Sequence, residues 1–265
     1  MRDATVTGSS HTTEPGIGAY PVAAADASTP MLVVRGLHKT VHGGFLQRRV
    51  EILKGVDLEV RAGDVFGLLG PNGAGKTTTV KTVVGWMKPT AGSVTLAVAG
   101  RQDLGYLPEN PYFYDYLSGR EFLGFCARLF GLEASRREER VATLLREMDL
   151  EAAAHLHLRK YSKGMLQRIG IAQALINDPT LVLLDEPMTG LDPVGRVEVK
   201  RIIAGLREQG KTVLFNSHIL SDVGELCTRI AIMVAGRGVW QGSVDEALAE
   251  SPDGLEAFFM RVVQA

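Results

Sequence analysis

Eight residues limit this chain more than any others. Gly70-Pro71-Asn72-Gly73-Ala74-Gly75-Lys76-Thr77 satisfies G-x-x-x-x-G-K-[ST] at every fixed position. A loop of this kind works where a buried strand hands over to a helix, and both flanks comply. Val65 to Leu69 is a continuous apolar run, the pattern of a strand covered on both faces, and Thr77 to Val84 is compatible with a helix. The glycines let backbone N–H groups turn inward around phosphate oxygens, and the helix N-terminus adds a favourable dipole. Lys76 brings a positive charge to the β- and γ-phosphates, and the Thr77 hydroxyl is a ligand for Mg²⁺. Gly70, Pro71, Asn72, Gly73, Ala74, Gly75, Lys76, Thr77 and the adjoining Thr78 are therefore the expected nucleotide contacts. Several classes of nucleotidase share this loop, so the rest of the chain has to choose among them.

A second cluster follows. Leu181-Val182-Leu183-Leu184-Asp185-Glu186-Pro187 sets two adjacent carboxylates at the end of an apolar strand. Ligands of open α/β sheets sit at such strand ends. Asp185 is placed to hold Mg²⁺, and Glu186 to orient and polarise an attacking water.

The order of elements gives the fold class. Apolar strand runs at Val65–Leu69, Leu181–Leu184 and Thr212–Phe215 alternate with helical patterns, which argues for a parallel sheet. Structure begins near Met31–Val34, and alternating runs at Val56–Val60 and Ser93–Leu96 read as strands. Helical patterns fill the block from about 117 to 176, with Ser118 and Glu121 spaced as a capping box and Ser162 at a helix start. The expectation is an α/β P-loop NTPase with an inserted α-helical lobe spanning about 110–176; a RecA-like core and a small antiparallel β lobe are what the family resemblance given below implies. Residues 1–30, rich in Ala, Thr, Ser, Gly and Pro, read as a disordered leader, and 31–265 as one nucleotide-binding domain.

Composition removes other classes. A formal net charge of −1 provides no broad basic field, so no nucleic-acid partner is expected. No stretch reaches the ~20 apolar residues that cross a bilayer. Cys126 and Cys227 have neither metal-like nor redox-like spacing and read as ordinary buried thiols.

Over Met31 to the C-terminus the chain resembles the ATP-binding cassette (ABC) ATPases. Tyr161-Ser162-Lys163-Gly164-Met165 stands where that family has its signature, and Thr189-Gly190-Leu191-Asp192-Pro193 is similar to its subunit-joining loop. Ser217-His218 resembles the switch-histidine site, and Tyr106-Leu107-Pro108-Glu109 the link between core and helical lobe. The resemblance implies that Ser162 and Gly164 meet the γ-phosphate held by an opposite subunit. It also implies that His218 senses that phosphate beside Glu186, and that Glu109 contacts the metal or its water. Mg²⁺ with ATP, a second nucleotide-binding subunit (a homodimer) and separate transmembrane permease subunits follow from it. So does a cytoplasmic location on the inner face of the membrane.

The chain departs from the usual pattern in places. Tyr161, Lys163 and Met165 replace Leu, Gly and Gln in the signature, and Glu109 replaces Gln; these resemble a bacterial exporter-type branch. Lys163 is expected to add a cation near the γ-phosphate. Val41 stands where the family stacks an aromatic on adenine, with His42 and Phe45 as neighbouring candidates. The stretch from Ala97 to Leu104 is short, which predicts a trimmed strand lobe. Tyr112, Phe113, Tyr114 and Tyr116 form an aromatic segment expected to receive a permease helix. The alternative reading is a soluble ABC ATPase in repair, translation or cofactor assembly. It lacks support from the long coiled coil or second cassette that such members carry. A GTPase is disfavoured by the absence of Asn-Lys-x-Asp.

Overall fold

The computed structural model describes residues 18–19, 29–43 and 48–264. The expected leader, apart from Gly18, Ala19, Thr29 and Pro30, lies outside the described residues, and so does Phe45.

Two sheets organise the chain. The first contains β1 (Gly18–Ala19), β2 (Pro30–Gly43), β3 (Arg48–Arg61) and β5 (Ala91–Leu96), in the order β1-β5-β2-β3. β2 runs antiparallel to both β3 and β5. It is longer than the short run read from sequence because register shifts between Val34 and Thr40 bend it without ending the pairing. The second sheet holds β4 (Val65–Leu69), β6 (Leu104–Leu107), β7 (Leu181–Asp185), β8 (Thr212–Ser217), β9 (Arg229–Val234) and β10 (Arg237–Ser243). Its order is β10-β9-β4-β8-β7-β6, parallel except for β10.

Strands of the second sheet are apolar on both faces because each face has its own cover. On one face Leu181, Leu183, Phe66, Leu68 and Leu214 pack with α1 (Lys76–Val83) and the antiparallel sheet. On the other, Val182, Leu184, Val213 and Phe215 join the core of the helical lobe and of α5 (Pro193–Glu208). This is the α/β P-loop core with a β lobe and a helical lobe that the motif order predicts.

The helical lobe comprises α2 (Gly119–Leu129), α3 (Ala134–Glu147) and α4 (Lys163–Ala174). α2 opens with the expected capping box: Ser118 Oγ accepts from the Glu121 N–H, and the Glu121 carboxylate accepts from the Ser118 N–H at 2.8 Å. Asp192 caps α5, accepting from the Gly195 N–H at 2.8 Å, and Pro193 occupies the first turn, where its missing N–H costs nothing. Helix α6 (Leu220–Leu226) follows β8, while α7 (Val244–Glu250) and α8 (Leu255–Gln264) close the chain. Both cysteines are free and buried, and burial pushes the Cys126 thiol up to about 11. Among the described residues no helix is long and apolar enough to cross a membrane.

Candidate nucleotide site

The glycine-rich loop joins β4 to α1 and forms one wall of a cleft of about 620 Å³. Two glycines are required there on steric grounds. Gly75, at the N-cap of α1, has φ 102° and packs against the Leu53 side chain. Gly70 lies against the Met233 carbonyl of β9 so closely that a Cβ would collide with it. The loop can therefore take this curled path only with glycine at these two positions.

Asn72, Gly73, Ala74, Gly75, Lys76, Thr77 and Thr78 line the cleft together with Ile52, Glu109, Glu186, Thr189 and His218. The Lys76 ammonium donates to the carbonyls of Gly70 and Pro71 at 2.7 and 3.3 Å and lies 4.0 Å from Glu186 Oε1. Burial pulls the Lys76 pKa below the ordinary lysine value, opposed by the charges of Glu186, Asp185 and Glu109. An anionic phosphate beside Lys76 would act in the same direction as those carboxylates and favour the charged form.

Asp185 ends β7 and is fully buried. Its Oδ1 accepts from the Thr77 hydroxyl at 2.9 Å and from the Asn216 amide, while its Oδ2 has no partner. Glu186 follows with φ 52°, a left-handed conformation unusual for a residue with a Cβ. Four contacts fix it there. Asn216 Oδ1 accepts from the Glu186 N–H at 2.9 Å; Thr189 donates its hydroxyl to Oε2 at 2.8 Å; His218 Nδ1 meets that same oxygen at 2.9 Å; Lys76 faces Oε1. Glu186 is thus buried beneath a half-exposed histidine at the cleft mouth, with its two oxygens in different surroundings.

Asn216 and Thr189 are the residues that motif reading missed. Asn216 is fully buried on β8, in register with Asp185 on β7. One amide group satisfies the backbone of Glu186 and the carboxylate of Asp185 together. The signal was a polar amide within the apolar run Thr212–Phe215 and its end, directly before Ser217-His218.

Ser162 and Gly164 lie apart from the cleft. Ser162 is exposed at the N-terminus of α4, where its hydroxyl accepts from the Met165 N–H at 3.2 Å. Tyr161 turns inward instead: it is buried, donates its hydroxyl to the Ala153 carbonyl at 2.9 Å and covers Gly119. The aromatic replacing the family's Leu therefore ties the signature to the helical lobe. The Lys163 ammonium lies over Gly190 of its own chain, where a Cβ would collide with it. In this conformation it contacts the subunit-joining loop, not the nucleotide cleft of its own chain. Among the described residues Val41 does not line the cleft, whereas Ile52 and Ala74 do.

The residues expected to hold a metal are Thr77, Asp185 and Glu109. Mg²⁺ is ordinarily held by one or two carboxylates plus phosphates and water, not by an all-protein cage. The partnerless Oδ2 of a buried Asp185 next to the Thr77 hydroxyl suits that donor set. Among the described residues no group of three or more His, Cys, Asp or Glu side chains could hold a metal ion.

Comparison with known proteins agrees with this geometry. The family model described as ABC transporter matches residues 53–189. An uncharacterized ABC transporter ATP-binding protein of Nostoc sp. is 49% identical over 83% of this chain and 69% of its own length. The Nod factor export ATP-binding protein I of Cupriavidus metallidurans is 38% identical over 74% of this chain and 68% of its own. The chain thus spans about two thirds of the length of these relatives. A solved structure described as the ATP binding subunit of an ABC transporter superposes with a TM-score of 0.75 and 30% identity, covering 88% of this chain and 99% of that one. Its phosphate loop, buried acid pair and fold together identify the chain as a member of the ABC transporter family, an ATP-binding and ATP-hydrolysing domain.

Proposed function

We propose that the chain is the ATPase subunit of an exporter, closing on ATP as a dimer and driving separate permease subunits. The observation that carries the proposal is a division of labour. Lys76, Thr77, Glu186 and His218 line one cleft, with Asp185 bonded to Thr77 beneath it, while an exposed Ser162 and a half-buried Gly164 stand at a helix start that does not line it. A helix N-terminus with an exposed hydroxyl is suited to an anion, and a second copy would bring its own to the open side of the cleft. Two copies of this chain would then complete two sites.

Within each site the roles follow from the contacts. The loop N–H groups and Lys76 bind the phosphates, and Ile52 offers an apolar wall to the base. Glu186 orients the attacking water and accepts its proton. Thr189 and Asn216 hold Glu186 in place, and His218 links the same carboxylate to the γ-phosphate. Thr77, Asp185 and Glu109 would hold Mg²⁺, which when bound neutralises phosphate charge. Export is supported by the name of the Cupriavidus relative and by the exporter-like signature. The placement is then cytoplasmic, peripheral on the membrane through the permease.

The test is Glu186→Gln. The amide keeps the size and removes the base, so ATP binding should survive and turnover should fall at least about a hundredfold, in the range for a positioned general base. With Mg²⁺-ATP the variant should run as a dimer in light scattering. A variant that stays monomeric and hydrolyses ATP normally would overturn the proposal.

A further inference from the structure

Two buried polar atoms near the cleft have no partner: the Tyr106 hydroxyl and Asp185 Oδ2. A buried polar group left without a partner carries its full desolvation penalty. They belong to one neighbourhood. Tyr106 is paired with Leu183 in the β6–β7 ladder, and Asp185 is two residues beyond Leu183 on the same face. Both Leu183 and Tyr106 pack with the core on the α1 side of the sheet. Diagonal neighbours of this kind have Cα atoms about 7–8 Å apart, within reach of an aromatic side chain. The phenol also feels the site's charge: burial first, then Asp185 and Glu109, raise its pKa above the ordinary tyrosine range. Its ring is held by the edge of Trp86, with centroids 4.9 Å apart at an interplanar angle of 89°.

We propose that Tyr106 is a positioning residue for Asp185, its hydroxyl donating through a single water to Oδ2. A water is the bridge because the two groups do not bond each other directly, and one between a donor and an acceptor satisfies both. The consequence is a carboxylate fixed at both ends. Asn216 and Thr77 engage Oδ1 from the β8 and α1 sides, and Tyr106 engages Oδ2 from β6. When the Thr77 hydroxyl turns to the metal, Asp185 keeps its orientation. The proposal rests on the reading of Asp185 as a metal-side carboxylate.

The experiment is Mn²⁺ binding to the full chain in the presence of ADP, followed by electron paramagnetic resonance, with ADP binding in EDTA measured alongside. Tyr106→Phe should weaken Mn²⁺ about tenfold, the lower end for outer hydrogen-bond partners of metal ligands. It should leave metal-free ADP binding unchanged and raise the Mg²⁺ concentration for half-maximal hydrolysis in step. Trp86→Phe, which keeps the hydroxyl, should leave Mn²⁺ affinity unchanged. The proposal fails if Tyr106→Phe binds Mn²⁺ like the native chain. It also fails if the variant loses metal-free ADP binding to the same degree, or if Trp86→Phe has the same effect. Asp185→Asn separates the two layers: if it does not weaken Mn²⁺, the metal reading of Asp185 is at fault. If it does and Tyr106→Phe is silent, only the role of Tyr106 is lost.

Discussion

Position 190 shows how a single residue choice constrains a distant one. Gly190 has φ 69°, and the space a Cβ would fill is taken by the Lys163 ammonium. Gly190→Ala therefore meets two obstacles, backbone strain of about 1 kcal/mol and eviction of a lysine. Lys163→Ala should remove the second and leave the first. In denaturant unfolding, the double variant should lose less stability than the sum of the single ones. Strict additivity would mean that Lys163 does not hold that space in solution. At this scale the sequence was legible where a motif fixes both identity and geometry, as at Lys76, Thr77, Asp185, Glu186 and His218. The resting place of the Lys163 side chain on Gly190 was not legible, because its four-carbon stem has several rotamers. Nor was Asn216, because a buried amide becomes meaningful only when the register places it opposite Asp185.

Among the elements, the starts of helices were readable, and so was the end of α4 to within two residues, but not what finishes that end. Capping residues announce themselves within four positions, as Ser118, Ser162 and Asp192 do. The end of α4 is finished by a residue from another helix. Arg140 of α3 donates to the carbonyls of Leu175 and Ile176, a cation placed at the negative end of the helix. Asp178 just beyond receives Lys211 at 2.6 Å, which anchors the end of the helical lobe to the approach of β8. The Lys211 hydrogen bond is the main cause holding the Asp178 carboxyl below its usual range. A lowered folded-state pKa stabilises the fold above the unfolded value, about pH 4, and that contribution is lost as pH falls through the lowered one. The native chain should thus be more stable than Lys211→Met by a constant margin above about pH 4, and the gap should narrow below it. A gap that widened on acidification would contradict the pairing.

For the whole molecule, alternation of strand and helix was enough to give the parallel core and the helical lobe, because that pattern admits few topologies, while the β lobe came with the family resemblance. The outward surface was harder to read, since exposure is not a property of composition. Of the four aromatics expected to meet a permease, Phe113 turns into the core against Phe122, with centroids 5.5 Å apart. Tyr112 is 92% exposed, Tyr116 62% and Tyr114 43%, so all three tyrosines face outward, Tyr112 and Tyr116 the most. Replacing both with Ala should leave ATP binding and folding intact and abolish co-purification with the permease; unchanged assembly would sink that surface. Phe113→Ala belongs instead to the packing variants, at about 3 kcal/mol or more. The left-handed backbone of Glu186 has a further consequence, one of descent. Gly or Asn adopts that conformation at lower cost, so on the role proposed above a change that relieves the backbone at position 186 would also remove the base. Stability and turnover would then pull this one position in opposite directions.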